Sequence, residues 1–124
     1  MIADIKIQKG INIHSVYFVE LSREVLKDRR FRKENPDYIP GKPLVYIGET
    51  RLSPEERWER HQGKPGYWGG NVGSRFVKKW GVRLMEKRYY IVAPDQKGAI
   101  EMGKRKEAEL AGEYRKKGWG VWSR

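Results

Sequence analysis

The chain has 124 residues, 27 Lys and Arg against 16 Asp and Glu, a formal net charge of +11, and no cysteine. That length fits one domain, and the missing cysteines exclude disulfide frameworks, thiol nucleophiles and Cys-held zinc, while only two histidines exclude a His-rich metal site. Charged residues at 35% and hydrophobic ones at 38% would suit disorder, but 3 Phe, 5 Trp and 7 Tyr spread through short apolar runs supply a core.

Ile5, Ile7, Ile11 and Ile13 alternate with polar neighbours around Lys9-Gly10, the pattern of a small hairpin. Val16-Tyr17-Phe18-Val19 reads as a buried strand. Ser22 caps a short helix to about Lys33, and Asn35-Pro36 stops it. Residues 36–43 are loop, rich in proline. Leu44-Val45-Tyr46-Ile47 is a second strand, ended by Gly48. Ser53-Pro54-Glu55-Glu56 combines an N-cap serine, a proline at the first helical position and a glutamate at N3, so a helix starts there and runs to about His61, closed by Gly63. Residues 62–71 are glycine-rich. Ser74 caps a helix carrying Phe76, Val77 and Trp80, ended by Gly81. Residues 82–92 form a third strand, irregular near Glu86-Lys87. Residues 95–117 are helical, stopped by Gly118, and Trp119-Gly120-Val121-Trp122 reads as a last edge strand. The expected class is α+β: one domain over 1–124, with a small central, mostly antiparallel three-stranded sheet flanked by helices and an N-terminal hairpin extension.

No apolar run nears the roughly 18 residues of a membrane span, and residues 1–6 lack the apolar stretch of a signal peptide. A soluble, cytoplasmic protein without a membrane partner is expected. The positive excess favours a polyanionic partner, nucleic acid or an anionic membrane surface. Its plain alternatives are solubility and surface ion pairing against heat.

Neither a Gly-x-Ser-x-Gly elbow nor a complete Gly-x-x-x-x-Gly-Lys-Ser/Thr phosphate loop occurs. Chemistry must come from residues that the topology brings together. Tyr17 and Tyr46 lie on two strands that can pair. Gly48 ends the second, and the capped helix begins soon after. Arg57 and His61 are four apart on that helix and share one face. Two phenols, a guanidinium and an imidazole then converge. Arginine offers planar donors to a phosphate, histidine relays a proton, and tyrosine accepts one where its pKa is lowered. On the last helix Leu110, Ala111 and Tyr114 mark the buried stripe, and stepping back along it reaches Glu107, a carboxylate that needs a charge partner or a metal. Glu109 and Glu113 fall off that face; Glu101 reaches it only in another register. Singly, each signal has a structural account: strand tyrosines fill pleated surfaces, Arg–His pairs on helices face solvent, and an inward glutamate meets one of many basic residues.

Taken in order, these pieces resemble the GIY-YIG nuclease family. Ser15-Val16-Tyr17 resembles the Gly-Ile-Tyr element with its glycine replaced, and Tyr46-Ile47-Gly48 matches the second element. Glu49-Thr50 continues it in the family manner. Arg57-Trp58-Glu59-Arg60-His61 resembles the Arg-x-x-x-His helix, and Glu107 the metal-binding glutamate. Arg29-Arg30-Phe31-Arg32, Asn35-Pro36-Asp37-Tyr38, Pro40-Gly41-Lys42-Pro43 and Gly118-Trp119-Gly120-Val121-Trp122 resemble an uncharacterised bacterial branch. Three departures stand out: Ser15 itself, a long insertion over about residues 22–43 between the tyrosine elements, and no asparagine after the long helix. The insertion holds six Arg or Lys between Arg23 and Lys33 and reads as a DNA-contacting element or a brace.

The resemblance implies a divalent-metal-dependent endonuclease hydrolysing DNA phosphodiesters, structure-directed or weakly sequence-specific. Glu107 would hold Mg²⁺ or Mn²⁺. Tyr17 would be general base, helped by His61. Tyr46 would position water or phosphate, and Arg57 would neutralise phosphoryl charge. Arg29, Arg30, Arg32, Lys33, Lys64, Arg75 and Lys78 are the expected nucleic-acid contacts. DNA, branched or damaged, is the expected partner. RNA stays open, as does a protein that supplies specificity. The alternative is a non-catalytic basic module that binds nucleic acid, aided by exposed aromatics among Tyr67, Trp68 and Trp80.

Overall fold

The computed structural model describes residues 12–62 and 72–123. The hairpin expected over residues 5–13 lies outside these but for its last two residues, as do Gly63, Lys64, Tyr67, Trp68 and the glycine-rich segment beyond Gln62. In chain order the elements are β1 (Asn12–Leu21), a 3₁₀ turn (Arg23–Lys27), α1 (Arg29–Glu34), β2 (Leu44–Thr50), α2 (Pro54–His61), α3 (Val72–Trp80), β3 (Gly81–Ala93), α4 (Gln96–Lys116) and β4 (Gly120–Ser123). The class is α+β, as expected.

The sheet is not the three-stranded one expected. Among the described residues it has four strands in the order β3-β1-β2-β4. β1 pairs antiparallel with both β2 and β3, and β4 joins β2 in parallel, from Leu44 opposite Gly120 to Ile47 opposite Ser123. The sheet is therefore mixed. β4 is parallel because α4 carries the chain back across one face before Gly118 turns it. Asn35 then fixes it from the insertion: its side-chain amide donates to Val121 O at 2.9 Å, and its oxygen accepts from Val121 N at 2.8 Å.

β1 and β2 read as continuous apolar runs because helices cover both faces. On one face Tyr17, Val19, Leu21, Leu44 and Tyr46 pack with Phe31, Phe76 and Val77 from α1 and α3. On the other Val16, Phe18, Val45 and Ile47 pack with Leu110, Ala111 and Tyr114 of α4 and with Val121. The irregularity expected in β3 is real: the pairing with β1 shifts register between Tyr17–Arg88 and Val19–Leu84.

The single helix expected from Ser22 to Lys33 is two pieces. Asp28 restarts the chain, its carboxylate accepting from Arg30 N at 2.9 Å and Phe31 N at 3.1 Å, so the 3₁₀ turn ends and α1 begins. Val25 and Phe31 are buried, and with Asn35 they make the insertion a structural brace of the sheet's β4 edge. β2 continues past Gly48 to Thr50. α3 begins two residues before Ser74, and Gly81 opens β3 rather than only closing α3. No helix among the described residues is long and apolar enough to cross a membrane.

Candidate functional site

The pairing of β1 with β2 sets Tyr17 opposite Gly48, two residues beyond Tyr46 on the same face of β2. With no side chain at 48, both phenols close over that point. A Cβ there would lie 2.8 Å from Tyr17 Oη and 2.9 Å from Tyr46 Oη. Real Cβ atoms do not approach so closely, so glycine is the residue that lets the two hydroxyls share one location.

α2 brings the other two groups. Its start is fixed as expected: Ser53 Oγ accepts from Glu56 N at 3.1 Å, the Glu56 side chain returns to Ser53 N, and Pro54 is at the first position. Its closing cap is Gln62. His61 lies over the phenols, with ring centroids 6.0 Å from Tyr17 and 5.7 Å from Tyr46, and its Nε2 is 2.7 Å from Tyr17 Oη. Arg57, one turn earlier, also hydrogen-bonds the Tyr17 hydroxyl. A guanidinium only donates. The Tyr17 oxygen therefore accepts from Arg57; the same hydroxyl also hydrogen-bonds Tyr46 and lies 2.7 Å from His61 Nε2.

Tyr17, Tyr46 and His61 are 0%, 3% and 1% exposed. Burial pushes the Tyr17 phenol well above its ordinary pKa; neighbouring Tyr46 adds to the rise, and Arg57 opposes it. The lowered value that would help a tyrosine accept a proton is not found here; the shift runs the other way. Tyr17 therefore keeps its proton at neutral pH.

Glu107 arrives from the other layer. The buried stripe of α4 is Ala99, Gly103, Glu107, Leu110, Ala111 and Tyr114, and the carboxylate residue is 4% exposed. Glu101, Glu109 and Glu113 are exposed, as expected of the last two. The stripe packs on the sheet face opposite the phenols. The two faces are joined at the C-terminal end of β2. Glu49 points toward α4 there: a Cβ on Gly103 would lie 2.5 Å from Glu49 Cγ. Gly103 is one turn from Glu107. Glu49 also meets His14 Nδ1 through its Oε2.

A cleft of about 400 Å³ wraps this end of β2, walled by Arg57 and Arg60 of α2, by Arg51 and Thr50, by Gln96, Ile100 and Lys104 of α4, and by the His14–Glu49 pair. Arg57 belongs to both the cleft and the phenol cluster. Sequence reading missed His14, Glu49, Gly103, Arg51, Arg60 and Lys104. The register held the signal: once Tyr17 faces Gly48, Val16 faces Glu49, and His14 falls on the same face as both.

The expected nucleic-acid contacts are dispersed. Arg29, Arg30, Arg32 and Lys33 line a shallow depression on α1. Arg30 pairs with Asp28 and lies 5.9 Å over the Trp122 ring, and Arg32 donates to Leu26 O at 2.9 Å. Arg75 and Lys78 are exposed on α3; Lys64 is outside the described residues. Trp80, expected to be exposed, is partly buried against the core.

No group of three or more His, Asp or Glu side chains among the described residues forms a metal cage. One inward carboxylate is still a fitting donor for Mg²⁺ or Mn²⁺, which prefer oxygen and retain several waters. No family model matches the chain, and no curated protein or solved structure matches it.

Proposed function

We propose that the chain is a divalent-metal-dependent endonuclease of the GIY-YIG kind, hydrolysing DNA phosphodiesters with structure-directed or weak sequence preference. The observation that carries this reading is the Tyr17 hydroxyl, held between Arg57 and His61 at a point shared with Tyr46 and reached from a cationic cleft through Arg57. Glu107 is the residue that would hold Mg²⁺ or Mn²⁺, which when bound polarises the scissile phosphate and stabilises the leaving 3′ oxygen.

Arg57 meets the phosphate from the cleft and offsets charge on its non-bridging oxygens. Tyr46 orients the attacking water. As the water attacks phosphorus, its proton passes to Tyr17 Oη while the Tyr17 proton passes to His61 Nε2 along the 2.7 Å hydrogen bond. The net change is one proton moved from water to histidine, and no free phenolate accumulates, in keeping with the raised pKa of Tyr17. DNA is the favoured substrate; RNA, and a protein partner that supplies specificity, stay within the same proposal.

The burial of both phenols and the entry of Glu107 from the opposite layer favour a second reading, a nucleic-acid-binding module in which the cluster is a polar core. Supercoiled plasmid separates the two. The nuclease converts it to nicked circles in Mg²⁺ or Mn²⁺ and stops when EDTA is added. Plasmid retarded in a gel but never nicked in either metal supports the module instead.

A further inference from the structure

The cleft at the end of β2 is more cationic than the proposed chemistry requires. Arg51, Arg57, Arg60 and Lys104 line it beside one carboxylate, Glu49. Glu49 is turned into the α4 layer and engaged by His14, which is 3% exposed. Arg57 and Arg60 are three apart on α2, which sets their Cβ atoms about 5–6 Å from each other. That is the scale on which successive phosphates follow one another along a strand.

The cleft is also remote from the basic insertion. α1 packs at the start of β2, where Gly120 pairs with Leu44 and abuts Phe31. The cleft surrounds the other end, past Thr50. Six steps at about 3.3 Å separate these ends by about 20 Å. The cleft thus lies between α2 and the N-terminal half of α4, away from α1.

We infer that this cleft binds the phosphodiester phosphate next to the one engaged by Arg57, with Arg51, Arg60 and Lys104 as its ligands. The inference rests on the nucleic-acid reading above and names the path of the strand at that site.

The test is anisotropy of a fluorescein-labelled single-stranded DNA 12-mer, titrated with the full chain in EDTA at several salt concentrations. Arg51→Gln and Lys104→Gln each remove one charge outside the proton relay. Lys116→Gln, about 18 Å farther along α4, removes the same charge away from the cleft. Each cleft variant is expected to weaken binding and to lower the slope of log affinity against log salt by about 0.7, one single-strand phosphate contact; Lys116→Gln leaves the slope near that of the parent. Slopes that fall no further for the cleft variants than for Lys116→Gln overturn the inference, as does a parent chain that fails to bind the 12-mer at low salt. Displacement of the 12-mer by inorganic phosphate, beyond that by chloride at equal ionic strength, marks a free-phosphate site and overturns the strand assignment. Plasmid nicking in Mg²⁺ by the same preparations keeps the two proposals apart. Reduced slopes without nicking uphold the cleft against the nuclease, and nicking with unchanged slopes upholds the nuclease against the cleft.

Discussion

Glu107→Gln is expected to slow metal-dependent plasmid cleavage at least about 100-fold while leaving the protein folded. Glutamine keeps the volume of the side chain on a close-packed stripe, so Leu110 and Ala111 retain their contacts with the sheet. What changes is charge. A carboxylate 4% exposed among Gly103, Leu110 and Ala111 serves either a cation or the fold. The two roles leave different traces. Removing one partner of a buried charge pair costs about 3–5 kcal/mol of stability. Removing a metal ligand lowers Mn²⁺ binding and cleavage together and leaves the urea midpoint close to that of the parent. A collapsed midpoint with Mn²⁺ binding intact would assign Glu107 to the fold.

Tyr17→Phe is expected to lower cleavage about 100-fold or more, the usual range for loss of a positioned proton-transfer group. It removes the oxygen on which Arg57 and His61 converge. Stability supplies a second readout. Burial holds the proton on the folded phenol well above the ordinary value, whereas the unfolded one titrates near 10. Below about pH 10 both states carry the proton and the contribution of Tyr17 is complete. Above it the unfolded chain releases a proton that the folded chain keeps, so stability falls with rising pH until the folded phenol ionises too. The phenylalanine variant lacks this decline. The difference in unfolding free energy between parent and variant, measured in urea from pH 8 to 11, is therefore expected to narrow above pH 10. Parallel curves would contradict the buried, proton-holding state of Tyr17.

Local chemistry carried the parts of the fold that were legible in the sequence. The capping box at Ser53 and the stop at Gly118 are decided by a few adjacent residues, and the elements end where those residues dictate. The four-residue spacing of Arg57 and His61 translated directly into a shared face, because helical geometry is fixed. The break at Asp28 was harder, since Ser22 and Asp28 are both good caps and either can begin a helix over the same stretch. The fourth strand was seen, but its direction was not. Parallel pairing of β4 with β2 depends on where α4 returns the chain and on Asn35, a residue 86 positions from Val121. The layer assignment of Glu107 lay equally far from local pattern. Its inward direction followed from the stripe of α4, but the face of the sheet on which that stripe lies is a property of the crossover. The raised pKa of Tyr17 is likewise a consequence of two layers closing over it, which no spacing in β1 encodes.

Groups from the two faces of the sheet, Tyr17 of β1 on one and Glu107 of α4 on the other, are expected to act on one phosphate. Single-turnover cleavage of plasmid by the Tyr17→Phe/Glu107→Gln double variant, set beside both single variants, tests this most directly. Groups that serve one reacting phosphate are strongly non-additive, so the double variant is predicted to cleave no more slowly than the slower single variant. Losses that multiply, with each substitution costing its full factor in the presence of the other, would contradict a shared reaction centre.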